Sequence, residues 1–200
     1  GKYGIVHTLT SKSWDSLLWF GEFAYENSAS YLKIHPLEIT GRAAIEMLML
    51  ELDQITLHKV YFLTNYMQNK YGKELQLMLD LVHKNYIEKN PSVVSVYPQV
   101  KNYGSEPLAN TIKSIVIDEN GDIVPLSYGF SRQYIIGNVH YFEKDEDIFG
   151  GFMKSHGKDL KNFFMQAYWK MVNDKDHDLY NVEDFLTAES LRAEVSENVA

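Results

Sequence analysis

The pattern of apolar and polar positions changes character near the middle of the chain. GIVHTLT, at the amino-terminal end, is β-branched and apolar and predicts a strand. The polar run Ser11, Lys12 and Ser13 follows, and then Trp14, Leu17, Leu18, Gly21, Ala24 and Tyr25 recur at helical spacing. Ser13 is placed to cap that helix, with Asp15 at its positive end and the Asn27–Ser28 pair closing it. A second strand is predicted over Tyr31 to Pro36, and helical composition resumes from Gly41 through Met49. A long helix from Glu51 to Tyr71 carries the stripe Thr56, Val60, Leu63 and Met67, with Gly72 expected as a left-handed cap. ELQLMLDLVH, residues 74–83, has the continuous apolar texture of a strand buried on both faces, and a short helix follows from Lys84 to Glu88.

Beyond Pro91 the βα alternation ends. SIVIDENGDIVPL places an Asn-Gly turn between two apolar runs, which predicts a β-hairpin at about 114–126. YIIGNV offers a third strand, and KDLKNFFMQAYWKMVN sets Leu160, Phe163, Phe164, Ala167, Tyr168 and Met171 on one helical face. The last dozen residues are acidic and poor in apolar groups, so they are expected to be frayed or helical only at the surface. The predicted fold is α/β: a partial barrel of about three parallel βα units over residues 1–90, then a hairpin extension with carboxy-terminal helices over 91–200.

Composition narrows the chemistry. In 200 residues there is no cysteine, which rules out disulfides, thiol nucleophiles and cysteine-held clusters within this chain. A net charge of −8 argues against a nucleic-acid partner. No window approaches a membrane span, and the first residues show no secretory pattern, so a cytoplasmic location is expected. Phosphate-cradling glycine motifs, the Gly-x-Ser-x-Gly elbow and His-Glu-x-x-His are all missing.

In a sheet of parallel strands, functional groups collect at the carboxyl ends. That rule selects Thr8 and Thr10 after the first strand, His35 and then Arg42 after the second, and Asp80 and His83 on the third. The threonines serve equally as turn formers, and His35 could bond a loop carbonyl. Arg42 opens a helix, where the dipole disfavours a cation, so it calls for another partner. Asp80 in an apolar strand must be paired, to Arg42 or to a backbone amide, or else it takes part in chemistry. His35, Asp80 and His83 could together hold a metal. Tyr128, Phe130, Tyr134, Tyr141 and Phe142 read as packing rather than as a substrate box, and EKDED at 143–147 as a solvated loop.

The stretch HTLTSKSWDSLLWFGEFAYENSASYLKIHPLEITGRA resembles the second half of a radical S-adenosylmethionine enzyme barrel: a strand ending in polar residues, a helix, a strand running into His35-Pro36-Leu37, then Gly41-Arg42-Ala43. IDENGDIVPLSYGFSRQYIIGNV is similar to the SPASM-type extension of that superfamily, with Gly137-Asn138 in place and Leu126 where a cysteine would stand. The resemblance spans about residues 3–140. It implies binding of S-adenosylmethionine, with Thr8, Thr10, His35 and Arg42 as contacts and Arg42 on the carboxylate. It also implies a [4Fe–4S] cluster whose cysteine loop would lie in a missing amino-terminal half of the barrel.

The leading expectation is therefore the carboxy-terminal segment of a radical enzyme that abstracts hydrogen from a substrate, a peptide or protein among the candidates. As this chain alone it would be catalytically incomplete. The alternative is a cluster-free module that binds a peptide or pairs with a second copy through exposed sheet edges. A metal-dependent hydrolase using His35, Asp80 and His83 is a third reading.

Overall fold

A computed structural model describes residues 2–39, 43–95, 106–141 and 147–197. The chain divides into two compact units, Gly1–Val82 and His83–Ala200, so the helix that begins at Lys84 groups with the second.

The first unit contains strands β1 (Gly4–Leu9), β2 (Tyr31–Pro36) and β3 (Gln76–Leu79), with helices α1 (Leu17–Glu26), α2 (Ala43–Glu46) and α3 (Gln54–Tyr71) between them. The strands form a parallel sheet in the order β1-β2-β3. Because side chains alternate across a strand, Leu32 and Ile34 enter the core while Lys33 and His35 take the opposite face. Leu9, Leu17, Ala24, Leu32, Ile34, Val60, Met67 and Leu75 make up the fully buried centre of that core. Gly21 matters to it, because a side chain there would collide with Met67. Burying these aliphatic groups supplies about 25 cal/mol per Å² of apolar surface removed from water, the dominant favourable term in the unit.

Several local expectations are corrected here. The first helix is entered through a 3₁₀ turn at Trp14–Ser16, and Ser13 makes no capping bond. Its hydroxyl accepts instead from the Thr10 amide. Only Ala43–Glu46 is α-helical in the expected 41–49 segment, followed by a 3₁₀ turn at Leu48–Leu50. The long helix starts at Gln54, where the Asp53 carboxylate accepts from the Thr56 amide at 2.7 Å. Gly72 sits at φ −65°, not in the left-handed region, so the helix closes through its amide bonding the Gln68 carbonyl. The third strand is four residues long and one-sided: Leu77 and Leu79 pack on the core, and Met78 faces away with Lys33.

The second unit holds the antiparallel sheet of β5 (Ile115–Ile117), β6 (Asp122–Pro125) and β7 (Gly137–Asn138), after the short β4 (Val82–His83) and α4 (Lys84–Lys89). The predicted hairpin is present. Asp118 builds its turn by accepting from the Asn120 and Asp122 amides, both at 2.9 Å, and Gly121 takes φ +82°, which a side chain would oppose. Pro125 opposes Ile115 in a non-hydrogen-bonded pair, so its missing N–H costs the ladder nothing. The Asn138 side chain donates to the Asn120 carbonyl at 2.9 Å and to Asp122 at 2.8 Å, tying the third strand to the turn.

Helix α5 (Ile148–Asn173) buries the predicted face of Leu160, Phe163, Phe164, Ala167, Tyr168 and Met171. Phe130 and Tyr134 pack against Phe163 there, as packing residues should, whereas Tyr128 and Tyr141 are exposed and do not serve as packing. After β8 (Leu179–Tyr180), helix α6 continues from Val182 to Glu197. The final dozen residues are helical as far as Glu197, one of the two outcomes expected of them, and Ser190 among them is fully buried rather than at the surface. Phe142 and residues 143–146 of the EKDED run lie outside the described residues.

Candidate functional site on the parallel sheet

One face of the parallel sheet is packed on its helices, and the other carries exposed side chains. Val6 is 61% exposed, Thr8 is exposed, and Lys33 and His35 are only partly covered. In register across the strands, Thr8 on β1 lies opposite His35 on β2, and the backbone amide of Asp80, just past β3, donates to the Ile34 carbonyl at 3.1 Å. The pleat and register therefore set Thr8, His35 and Asp80 side by side at the carboxyl ends of three adjacent strands.

His35 and Asp80 are joined directly. The His35 Nδ1 lies 2.8 Å from Asp80 Oδ2, and Lys33 Nζ meets the same oxygen at 2.9 Å. On its other side the His35 Nε2 faces Glu38 Oε1 at 3.3 Å. Two carboxylates beside the imidazole favour its protonated form. Its pKa is raised chiefly by the hydrogen bond to Asp80, against the effect of burial and with help from Glu38. Burial works against the Asp80 charge, yet the hydrogen bonds from His35 and Lys33 hold its pKa below the usual carboxylate value. The result is a network running Lys33, Asp80, His35 and Glu38, able to orient a polar ligand and to move a proton at Nε2.

The sequence candidates divide. Thr8, His35 and Asp80 are brought together. Among the described residues Asp80 is paired with His35 and Lys33. Thr10 is engaged locally, its hydroxyl 3.0 Å from that of Ser13 and accepting from the Lys12 amide, which makes it a turn former. His83 caps α4, its Nδ1 accepting from the Asn85 amide at 3.1 Å, so its role is structural. Arg42 lies outside the described residues. Among the described residues no group of three or more His, Cys, Asp or Glu side chains is placed to hold a metal ion.

Lys33 and Glu38 were missed in the sequence. Lys33 was recoverable: it stands two residues before His35 in a strand, and so on the same face. Glu38 follows the strand in a loop, where no period applies.

No protein-family model matches this chain, and no curated protein matches it. Among the described residues no helix is long and apolar enough to cross a membrane.

Proposed function

We propose that this chain is the carboxy-terminal part of a protein of radical S-adenosylmethionine type, with its parallel sheet forming the later strands of a (β/α) barrel and its exposed face turned to the lumen. One observation carries the reading: a parallel sheet with one face packed on helices and the other only partly covered among the described residues, with a charged network at the carboxyl ends of its strands. Parallel sheets occur almost always with both faces covered, and their ligands sit at the carboxyl ends. The motifs about His35-Pro36 and Gly137-Asn138 supply the family.

In this reading Thr8 and His35 contact S-adenosylmethionine, and Arg42 remains the expected partner of its carboxylate. Asp80 and Lys33 fix the imidazole, and Glu38 presents a carboxylate toward the cationic parts of the ligand. Thr10 leaves the set of contacts because its hydroxyl serves the turn. The residues present do not fit a [4Fe–4S] cluster, since the chain holds no cysteine. Any cluster ligands belong to a separate segment, and hydrogen abstraction from a peptide or protein substrate would depend on that segment. A cytoplasmic location accompanies the proposal.

The test is titration of S-adenosylmethionine into the protein expressed from its complete reading frame. Saturable binding that Thr8→Ala and His35→Ala each weaken is expected, and undiminished binding in both variants would remove the assignment.

A second reading, a cluster-free binding module, is favoured by Leu126. Where a SPASM-type extension would place a cysteine, this leucine is 6% exposed, holds φ +63° and is bonded through its backbone to Ser114 in both directions. An apolar core has taken the place of a ligand.

A further inference from the structure

The parallel sheet carries another histidine, on the face opposite the charged network. Along β1 the side chains of Val6 and Thr8 are exposed, while Ile5, His7 and Leu9 take the face that packs on helices. The His7 ring stacks on Phe20 of α1, with centroids 3.7 Å apart and planes at 24°. Phe20 meets Trp19 edge-on at 5.0 Å, and Trp19 stacks on Phe23 at 5.2 Å, so the imidazole is the β1 end of a row of rings on α1. Its Nε2 is buried and, among the described residues, has no hydrogen-bond partner.

What surrounds the ring is apolar. Ile34 lies opposite it in the β1–β2 register, with Leu32 on the same face of β2, and both are fully buried. Asp15, Glu22 and Glu26 in and before α1 are exposed to solvent, as are His58, Lys59 and Lys70 of α3. Lys33 and His35 occupy the other face of the sheet. Burial is accordingly what lowers the His7 pKa, with no charged group contributing. A neutral imidazole suits this place, because it stacks on Phe20 as an aromatic ring. The protonated ring does not, because it places a charge and an N–H donor where Nε2 meets no acceptor. The attraction of a cation to the Phe20 face opposes this loss without replacing the missing acceptor.

We infer that His7 is an acid-sensitive latch on α1: neutral, it holds the helix to the β1 edge of the sheet through Phe20, and protonated, it releases that contact and lets α1 open. The sign follows from linkage. The contribution of neutral His7 is present above its ordinary value of 6.5 and is lost as pH falls through the folded one. His35, on the opposite face, titrates with the opposite sign, so acid favours the network at the strand ends while it loosens the helix. The latch stands on β1 and α1 alone and does not rest on what the charged network binds.

The experiment is NMR on the full chain: titration of the His7 ring, and hydrogen exchange of the α1 amides, normalised to intrinsic rates, at about pH 7.5 and about pH 5.5. A ring midpoint below 6.5 is expected. Normalised α1 exchange is expected to rise in acid, approaching the limit of about tenfold that one group returning to its ordinary value on opening can give. His7→Phe keeps a stacking ring that cannot be protonated, and it is expected to remove the rise while α1 stays protected. Phe20→Leu, which removes the stack, is expected to move the ring midpoint back toward 6.5. A ring midpoint at or above 6.5 in the parent chain would overturn the latch. So would α1 exchange that is equal at the two pH values, or that rises equally in His7→Phe.

Discussion

His35 on β2 and Asp80 beyond β3 are 45 residues apart in sequence and are joined by a 2.8 Å hydrogen bond across two parallel strands. Lys33 shares the same carboxylate oxygen. Asp80→Asn therefore leaves two donors facing a neutral amide, and a loss of about 1–2 kcal/mol in unfolding free energy is expected for this half-buried cluster. His35→Gln should cost less, and a double-mutant cycle by urea denaturation should show that the two changes are not additive.

The same pair fixes a pH dependence. The His35 pKa is raised in the folded state, so its contribution is fully present below about pH 6.5 and is lost as pH rises through the folded value. The Asp80 pKa is lowered, so its contribution is present above its ordinary value near 3.8 and is lost as pH falls through the folded one. Between these limits the network is intact. NMR titration of the His35 ring should give a midpoint above 6.5, and Asp80→Asn should lower it.

A one-sided sheet predicts opposite responses from its two faces. Ile34 is fully buried, and Ile34→Ala should cost about 2–4 kcal/mol in this chain. Val6 is 61% exposed, and Val6→Ala should stay within about 0.5 kcal/mol. Chemical denaturation of the two variants distinguishes the faces.

The loop between α5 and α6 is organised by Asp174. Its carboxylate accepts from the Asp176 and His177 amides at 2.8 and 3.2 Å and from the Tyr180 hydroxyl at 2.9 Å. Burial opposes its charge, but these bonds hold its pKa down at about 2. The sign follows as for Asp80: stability from Asp174 is present above pH 3.8 and falls away as acid approaches pH 2. Asp174→Asn should lose about 1–2 kcal/mol at neutral pH and flatten the acid limb of the stability curve.

The hairpin turn depends on Gly121. At φ +82° an alanine is strained, and its Cβ would come within 2.6 Å of the His140 ring. Gly121→Ala should cost about 1 kcal/mol or more in thermal or chemical denaturation, whereas Gly151→Ala, with nothing within 4 Å, should be neutral or stabilising.

What the sequence revealed follows the range of the physics involved. The hairpin was legible because Asn-Gly states its own backbone conformation, and the α5 face because a 3.6-residue period runs through it. The need for a partner at Asp80 was legible from the cost of burying a carboxylate, but the partner was not. It depends on how β2 and β3 align after 39 intervening residues, which no local pattern encodes. Gly72 and Ser13 failed for another reason: each had a plausible local role, and a nearby alternative won it, the right-handed closure onto Gln68 and the Thr10 turn. Lys33 was within reach of the two-residue period, which puts it on the same face as His35. His83 is a candidate because the apolar run 74–83 reads as one strand, whereas the third strand stops at Leu79 and His83 belongs to the separate β4.

The central claim is that these strands are the later part of a radical-type barrel, and the intact mass of the protein in its source cells tests it most directly. A polypeptide well above 23.2 kDa, with a three-cysteine loop ahead of the first strand, is the predicted result. A native species of 23.2 kDa would contradict the account, and the exposed sheet face would then belong to a cluster-free binding module.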